Sequence, residues 1–366
     1  MISRWVLIAV VIGTFFVSSA ALAGQLEDRI AIWNRHAEKC EGYPTKWSDP
    51  AAPDGKCEDG DMTLFSGLLC AAGVTLGCQA VRASLEDIGP DPGRWFRSPR
   101  RKSNPAIGAG SASFSPDMAL GAQLYLATTK DIAAGQLWYA WLDRHRPCLA
   151  GSEPNCDLAL GPITIQKNVR GWPRFCTDDS PDRGCAMRPG DLTDLARTRW
   201  VLKFPPVPPP TCDIQYPVIA DYFGALINVD MIIGKGLPYL LDVSCGMDIS
   251  FNDFSAHLNE PGFPQHLVAV EVFLYRQLGI PKDATAGAAY ELARKQPQNP
   301  FFAYLAGVSK ADLEKLILNE CPATDAAAAA LSRTQWAWER ADDVKAWKDS
   351  SLWDCIFMGE LIRKMP

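Results

Sequence analysis

Twelve cysteines constrain this chain more than any other feature: Cys40, Cys57, Cys70, Cys78, Cys148, Cys156, Cys176, Cys185, Cys212, Cys245, Cys321 and Cys355. What an even set of thiols becomes depends on the compartment, and the N-terminal segment points to one. Arg4 precedes a nearly unbroken apolar run from Trp5 to about Val17, and Ala21-Leu22-Ala23 closes the segment with small residues, the pattern of a cleaved export signal over 1–23. The run falls short of the ~20 residues that span a bilayer, and no cysteine follows the cut to take a lipid. The mature chain, 24–366, is therefore expected to be secreted or periplasmic, with no membrane contact after signal cleavage. In that oxidising setting the cysteines read as mostly paired. Spacing singles out Cys148 with Cys156 and Cys176 with Cys185 as loop-closing pairs, whereas Cys70 and Cys78 equally suit buried thiols. No doubled C-x-x-C knuckle occurs and the four histidines are scattered, so no metal site and no cofactor are expected.

Charge and size bound the rest. A net charge of −6 argues against a nucleic-acid partner, which wants a basic face. The length of the mature chain suits one large repeat-built domain. Asp61-Met62-Thr63-Leu64-Phe65-Ser66-Gly67-Leu68-Leu69 and Asp117-Met118-Ala119-Leu120-Gly121-Ala122-Gln123-Leu124-Tyr125 share a pattern in which an acid heads a helix that is apolar almost all round. The acid favours the positive end of the helix dipole, and the all-round apolarity marks a buried helix. A more polar helix follows each, roughly Gly77 to Glu86 and Asp131 to Arg146, giving successive helical hairpins. The same pairing recurs at Gln265 to Leu278 with Asp283 to Lys295, and Arg333 to Trp347 with Ser351 to Arg363 closes the chain. The expected fold is mostly α.

The middle departs from this rhythm. Pro147 to Pro189 carries four cysteines, several prolines and an Ile163-Thr164-Ile165 run of strand character, and the irregular insertion extends to about 212. The proline-rich stretch from Pro205 to Pro210 must be extended. It separates either two halves of one domain or two domains.

Several residues can carry chemistry. Glu58, Asp59 and Asp61 crowd around Gly60 at a helix start, and crowded carboxylates raise one another's pKa, as a general acid requires. The plainer reading makes Asp61 an N-cap and Asp59 a turn residue. Asp117 heads the next buried helix after Ser115-Pro116, at the same end, where capping also explains it. Between them lies Gly93-Arg94-Trp95-Phe96-Arg97-Ser98-Pro99-Arg100-Arg101. Trp95 can stack on a sugar face while Arg97, Arg100 and Arg101 bind carboxylate or sulfate, unless the run is merely a solvated charge cluster. Near the C-terminus, Gln335, Trp336, Trp338, Glu339 and Arg340, followed by Trp353, offer a second carboxylate among aromatics, or simply core tryptophans. His266 begins another buried helix and can hydrogen-bond a substrate hydroxyl or serve structure alone.

Taken together, Glu58-Asp59-Gly60-Asp61, the acid-headed inner helices and the aromatic C-terminal helix resemble the six-hairpin (α/α) toroid glycosidases and polysaccharide lyases. In toroid endoglucanases an Asp-x-Gly-Asp turn supplies the base that activates water, and a distant glutamate supplies the acid; Asp59-Gly60-Asp61 is one residue shorter. The resemblance implies a single (α/α) toroid of helical hairpins with a disulfide-rich loop region over 24–366. It also implies glycoside hydrolysis of a poly- or oligosaccharide, with acidic sugars favoured by the basic loop. Asp61 would be the water-activating base or a substrate-binding carboxylate, Asp117 its partner and Glu339 the proton donor. A lyase would instead use His266 with an arginine, and a non-catalytic glycan- or protein-binding module would use the same tryptophans and arginines as anchors.

Overall fold

The computed structural model describes residues 24–48, 57–58, 60–104, 114–148, 150–152, 154–167, 169–170, 173–176, 185, 187, 189–203, 249–331 and 351–366. It is mostly helical, with five disulfides among these residues. Helix α1 runs over 24–36. Two small antiparallel pairs follow, β1 (Lys39–Cys40) with β2 (Tyr43–Pro44) and β3 (Trp47–Ser48) with β4 (Cys57–Glu58), and Cys40–Cys57 ties them together.

The acid-headed apolar segments form helices α2 (Met62–Ala72) and α5 (Pro116–Thr129), and all eleven residues of α2 are buried. Each is followed by a more polar partner, α3 (Thr75–Ala83) and α6 (Ile132–Arg144), so both expected hairpins form. Gly73 stops α2 at φ +95°, a conformation that glycine adopts without strain. Asp131 starts α6 by accepting a hydrogen bond from the Ala134 amide. Between the hairpins, Ser98 caps the short helix α4 (Pro99–Ser103). Cys70 and Cys78 are not thiols: they are bonded to each other and join α2 to α3.

The irregular middle contains the expected pairs Cys148–Cys156 and Cys176–Cys185 and a hairpin of β5 (Leu158–Leu160) and β6 (Ile163–Gln166), before α7 (Pro189–Val201). Helix α8 occupies 249–258. The next expected pair is α9 (Phe263–Gln277) followed by a 3-10 turn (Lys282–Thr285) and α10 (Ala286–Lys295). Helix α9 begins two residues earlier than its periodicity indicates, because Pro264 is tolerated in a first turn. Then come α11 (Pro300–Leu305), α12 (Lys310–Glu320), α13 (Asp325–Ala329) and α14 (Leu352–Arg363), with Cys321–Cys355 linking the end of α12 to α14. The proline stretch at 205–210 and the helix expected over 333–347 lie outside the described residues.

Helices α2, α5, α9 and α14 form a buried inner layer, α2 packing on α5 and α14, and α5 on α9. Their starts share one end. Phe65 in the first turn of α2 stacks on His266 in the first turn of α9, with ring centroids 5.8 Å apart. At the opposite end, a side chain on Gly73 after α2 would collide with Lys364, which follows α14. Between α2 and α5 a methyl on Gly67 would overlap the Gly121 backbone, and one on Gly121 would overlap Thr63 and Leu64. The two glycines thus let the helix backbones approach more closely than side chains normally permit. The polar partners α3, α6, α10 and α12 pack on helices of this layer.

Candidate functional site

The shared end of the inner helices gathers charge around Asp61. Asp61 occupies the N-cap position of α2, yet its side chain makes no capping hydrogen bond. Instead, Oδ2 accepts from Lys46 Nζ and Oδ1 from Arg97 Nη1, each at 2.9 Å. The same Arg97 donates to the Gly60 carbonyl at 2.9 Å and, through Nη2, to Ser115 Oγ at 3.3 Å. Ser115 is the N-cap of α5 and also makes no capping bond of its own. Two neighbouring helix starts therefore turn their cap side chains to one guanidinium.

Arg97 is held by the chain around it. Thr63 donates its amide to the Arg97 carbonyl at 2.8 Å and its hydroxyl to the Phe96 carbonyl at 2.6 Å, pinning the loop to the first turn of α2. Asp117 stands in the first turn of α5, half-buried, with no ion pair among the described residues. The glycine crossing corrects the sequence alignment of the two hairpins. Gly67 and Gly121 each stand six residues beyond the N-caps Asp61 and Ser115, so packing matches Asp61 to Ser115 rather than to Asp117.

Lys46 is the residue sequence reasoning missed. It is 7% exposed, with Nζ 5.2 Å from the Phe65 ring centroid. Beneath that ring lies His266, fully buried, whose pKa is driven well below the usual histidine value by burial and then by the Lys46 charge. The line Asp61, Lys46, Phe65, His266 thus runs from the helix starts into the core. No periodicity marks Lys46, because it lies in a strand-and-turn segment; only its position between Cys40 and Cys57 ties that segment down.

Other expected positions divide into three groups. Asp59, Gln335, Trp336, Trp338, Glu339 and Arg340 lie outside the described residues. Trp95, Trp353 and His266 are core residues, which corrects their assignment to a sugar-facing surface. Trp95 is 2% exposed and meets Trp138 edge-on at 6.0 Å, and Trp353 is buried and donates Nε1 to the Glu38 carbonyl at 2.7 Å. The loop read as a substrate-binding strip or a solvated charge cluster is instead folded in: Arg100 is 5% exposed and donates to the Cys57 carbonyl at 3.0 Å. Arg101 donates its backbone amide to Ser98 Oγ in the short helix. Of the basic loop, Arg97 is the guanidinium that the structure brings to both Asp61 and the start of α5.

Among the described residues no group of three His, Cys, Asp or Glu side chains gathers as metal ligands do, and no helix is long and apolar enough to cross a membrane. No family profile, curated protein or solved structure matches the chain.

Proposed function

We propose that this chain is an exported glycoside hydrolase of the (α/α) toroid type, acting on a poly- or oligosaccharide in which acidic sugars are favoured. One observation carries the reading. The cap side chains of two neighbouring inner helices are turned to Arg97, and Asp117 stands at the same end with no ion pair among the described residues. Asp61, both oxygens bonded by cations, holds Arg97 and Lys46 in place. Asp117 is the carboxylate open to a reacting water, and Arg97 and Lys46 favour a carboxylated substrate. Glu339 is the proton donor in this reading, and its separation from Asp117 would decide between inversion at ~6.5–9.5 Å and retention at ~5–5.5 Å. No cofactor is required.

The double ion pair on Asp61 also suits a purely structural tie, which favours a second reading: a glycan-binding module without turnover. The mature, oxidised protein incubated with neutral and acidic glycans separates the two. Reducing ends without ultraviolet-absorbing products support hydrolysis, and both together point to a lyase on the same fold. Asp117→Asn removes no described ion pair, so it is expected to lower turnover by about 100-fold or more while stability falls only by the roughly 0.3–1 kcal/mol of its helix-dipole interaction. Undiminished turnover in that variant would end the role of Asp117, and binding with no turnover across the panel would support the module.

A further inference from the structure

Thr63 is 1% exposed, and both of its polar hydrogens leave its own helix. It stands second in α2, where an amide has no intrahelical acceptor. The amide goes to the Arg97 carbonyl and the hydroxyl to the Phe96 carbonyl, so one residue takes two successive carbonyls of the loop. Successive carbonyls of an extended chain point to opposite sides. Both reach Thr63 because the loop bends at Arg97 and Ser98. Two donors on two adjacent peptides fix the orientation of the Arg97 main chain as well as its position.

The neighbours of Arg97 are anchored elsewhere. Phe96 donates its amide to the Ser84 carbonyl at 3.0 Å, beyond the end of α3, and Ser98 accepts from the Arg101 amide at 3.1 Å in α4. Thr63 instead joins the Arg97 main chain to the helix start that carries Asp61, whose carboxylate holds the Arg97 guanidinium. On its other side Thr63 meets α5, since a side chain on Gly121 would overlap the Thr63 carbonyl. Asp117 lies one turn before Gly121 and therefore on the same face of α5. Thr63 is thus the joint between the loop that carries Arg97 and the helix that carries Asp117.

We infer that Thr63 is a positioning residue, whose hydroxyl sets the Arg97 guanidinium against the Asp117 carboxylate and so selects a sugar that carries a carboxylate. This role rests on the glycosidase reading above, in which Arg97 receives that carboxylate. Buried as it is, Thr63 touches no substrate itself. A guanidinium recognises a carboxylate through two parallel N–H···O bonds, a geometry that tolerates little displacement. The contact is made in the ground state and the transition state alike, so weakening it raises KM and leaves kcat.

Two substitutions in the mature, oxidised protein separate the hydroxyl from the shape of the side chain. Thr63→Val keeps the shape and the amide bond and removes the hydroxyl, whereas Thr63→Ser keeps the hydroxyl. On an acidic glycan, Thr63→Val is expected to raise KM about tenfold or more with kcat within about twofold, and Thr63→Ser to behave as wild type. On a neutral glycan neither should move KM. Isotope-edited NMR follows Arg97 without need of turnover: its Nη protons, held by Gly60, Asp61 and Ser115, should exchange with water about tenfold faster in Thr63→Val and at the wild-type rate in Thr63→Ser. An unchanged exchange rate at Arg97, an unchanged KM for acidic glycans, or equal losses in the two variants would overturn the role of Thr63. Faster exchange confined to Thr63→Val, in a protein that cleaves no glycan, would support the positioning by Thr63 and overturn the glycosidase reading.

Discussion

Asp61 shows how one side chain can be drawn from a local role into a distant one. As an N-cap it would satisfy an amide of α2, a contribution of about 1 kcal/mol. Facing Lys46 and Arg97 instead, it neutralises two cations that are themselves mostly buried, with side chains 8% and 15% exposed. Asp61→Ala would strand both, and because Asp61 is 26% exposed the loss should be smaller than for a fully buried pair, about 2–3 kcal/mol by urea unfolding. Lys46→Met removes the buried charge along with its partner's need for it, and leaves Asp61 on Arg97. It should cost about 1 kcal/mol or less. A larger loss for Lys46→Met than for Asp61→Ala would contradict the view that Asp61 exists to compensate the cations. His266 gives this neighbourhood a pH signature. Its folded pKa is depressed by burial and by Lys46, so as pH falls below about 6.5 the unfolded chain takes up a proton that the folded chain refuses. Stability from this group is complete above that pH and is lost on acidification, and His266→Gln should flatten the change in urea midpoint between pH 7 and 5. Asp61 and Arg97 were legible from type and spacing, since an acid at a helix start and a basic loop are local patterns. Lys46 and the burial of Trp95 were not, because both are decided by residues far away in sequence.

Elements follow the same division. That α2 and α5 are inner helices is legible from apolar residues on all sides, and their polar successors from one-sided periodicity. Which inner helices touch, and in what register, rests on Gly67 and Gly121, two residues that a hydrophobicity pattern cannot distinguish from weak spots in a helix. Gly67→Ala should raise helix propensity by up to about 1 kcal/mol and still lower stability, by about 2–3 kcal/mol net, because its methyl group meets backbone rather than a movable side chain. A stabilised Gly67→Ala would show that the two helices do not cross there. The start of α6 makes a second prediction. Burial opposes the charge on Asp131, but the Ala134 amide, the Tyr125 hydroxyl and Arg82 outweigh it, and its pKa lies below the ordinary aspartate value. A depressed carboxylate supports the fold above its unfolded pKa of about 3.9 and ceases to do so as pH falls through the folded value. Asp131→Asn can still cap α6, so it should lose little at pH 3 and more at pH 7, measured as thermal midpoints.

At the scale of the whole molecule, the covalent links divide into two kinds that the cysteine spacing only partly reveals. Cys148–Cys156 and Cys176–Cys185 close short loops with sequence separations of 8 and 9 in a segment without a helical pattern, which makes them readable, whereas Cys70–Cys78, also 8 apart, joins two helices in which a cysteine equally suits a buried thiol. Cys321–Cys355 has a separation of 34 and joins the end of α12 to a buried turn of α14, a pairing that no local pattern selects. The hydrogen bond from Trp33 Nε1 to the Pro322 carbonyl, at 2.9 Å, brings α1 to the same place, so this bridge lies where α1, α12 and α14 meet. A cross-link stabilises chiefly by restricting the unfolded chain, and the restriction grows with the loop it closes. Replacing Cys321 and Cys355 together by alanine should therefore cost about 4 kcal/mol, against about 2.5 kcal/mol for Cys148 with Cys156. The first pair should also loosen the contact between α1 and α14, read as faster amide exchange in both helices; the second should leave those helices unchanged and loosen the hairpin alone. Equal losses, or exchange confined to α14 in the first variant, would mean that α1 and α14 are held together by packing of Trp33 and Ile30 around Gly359 rather than by the bridge.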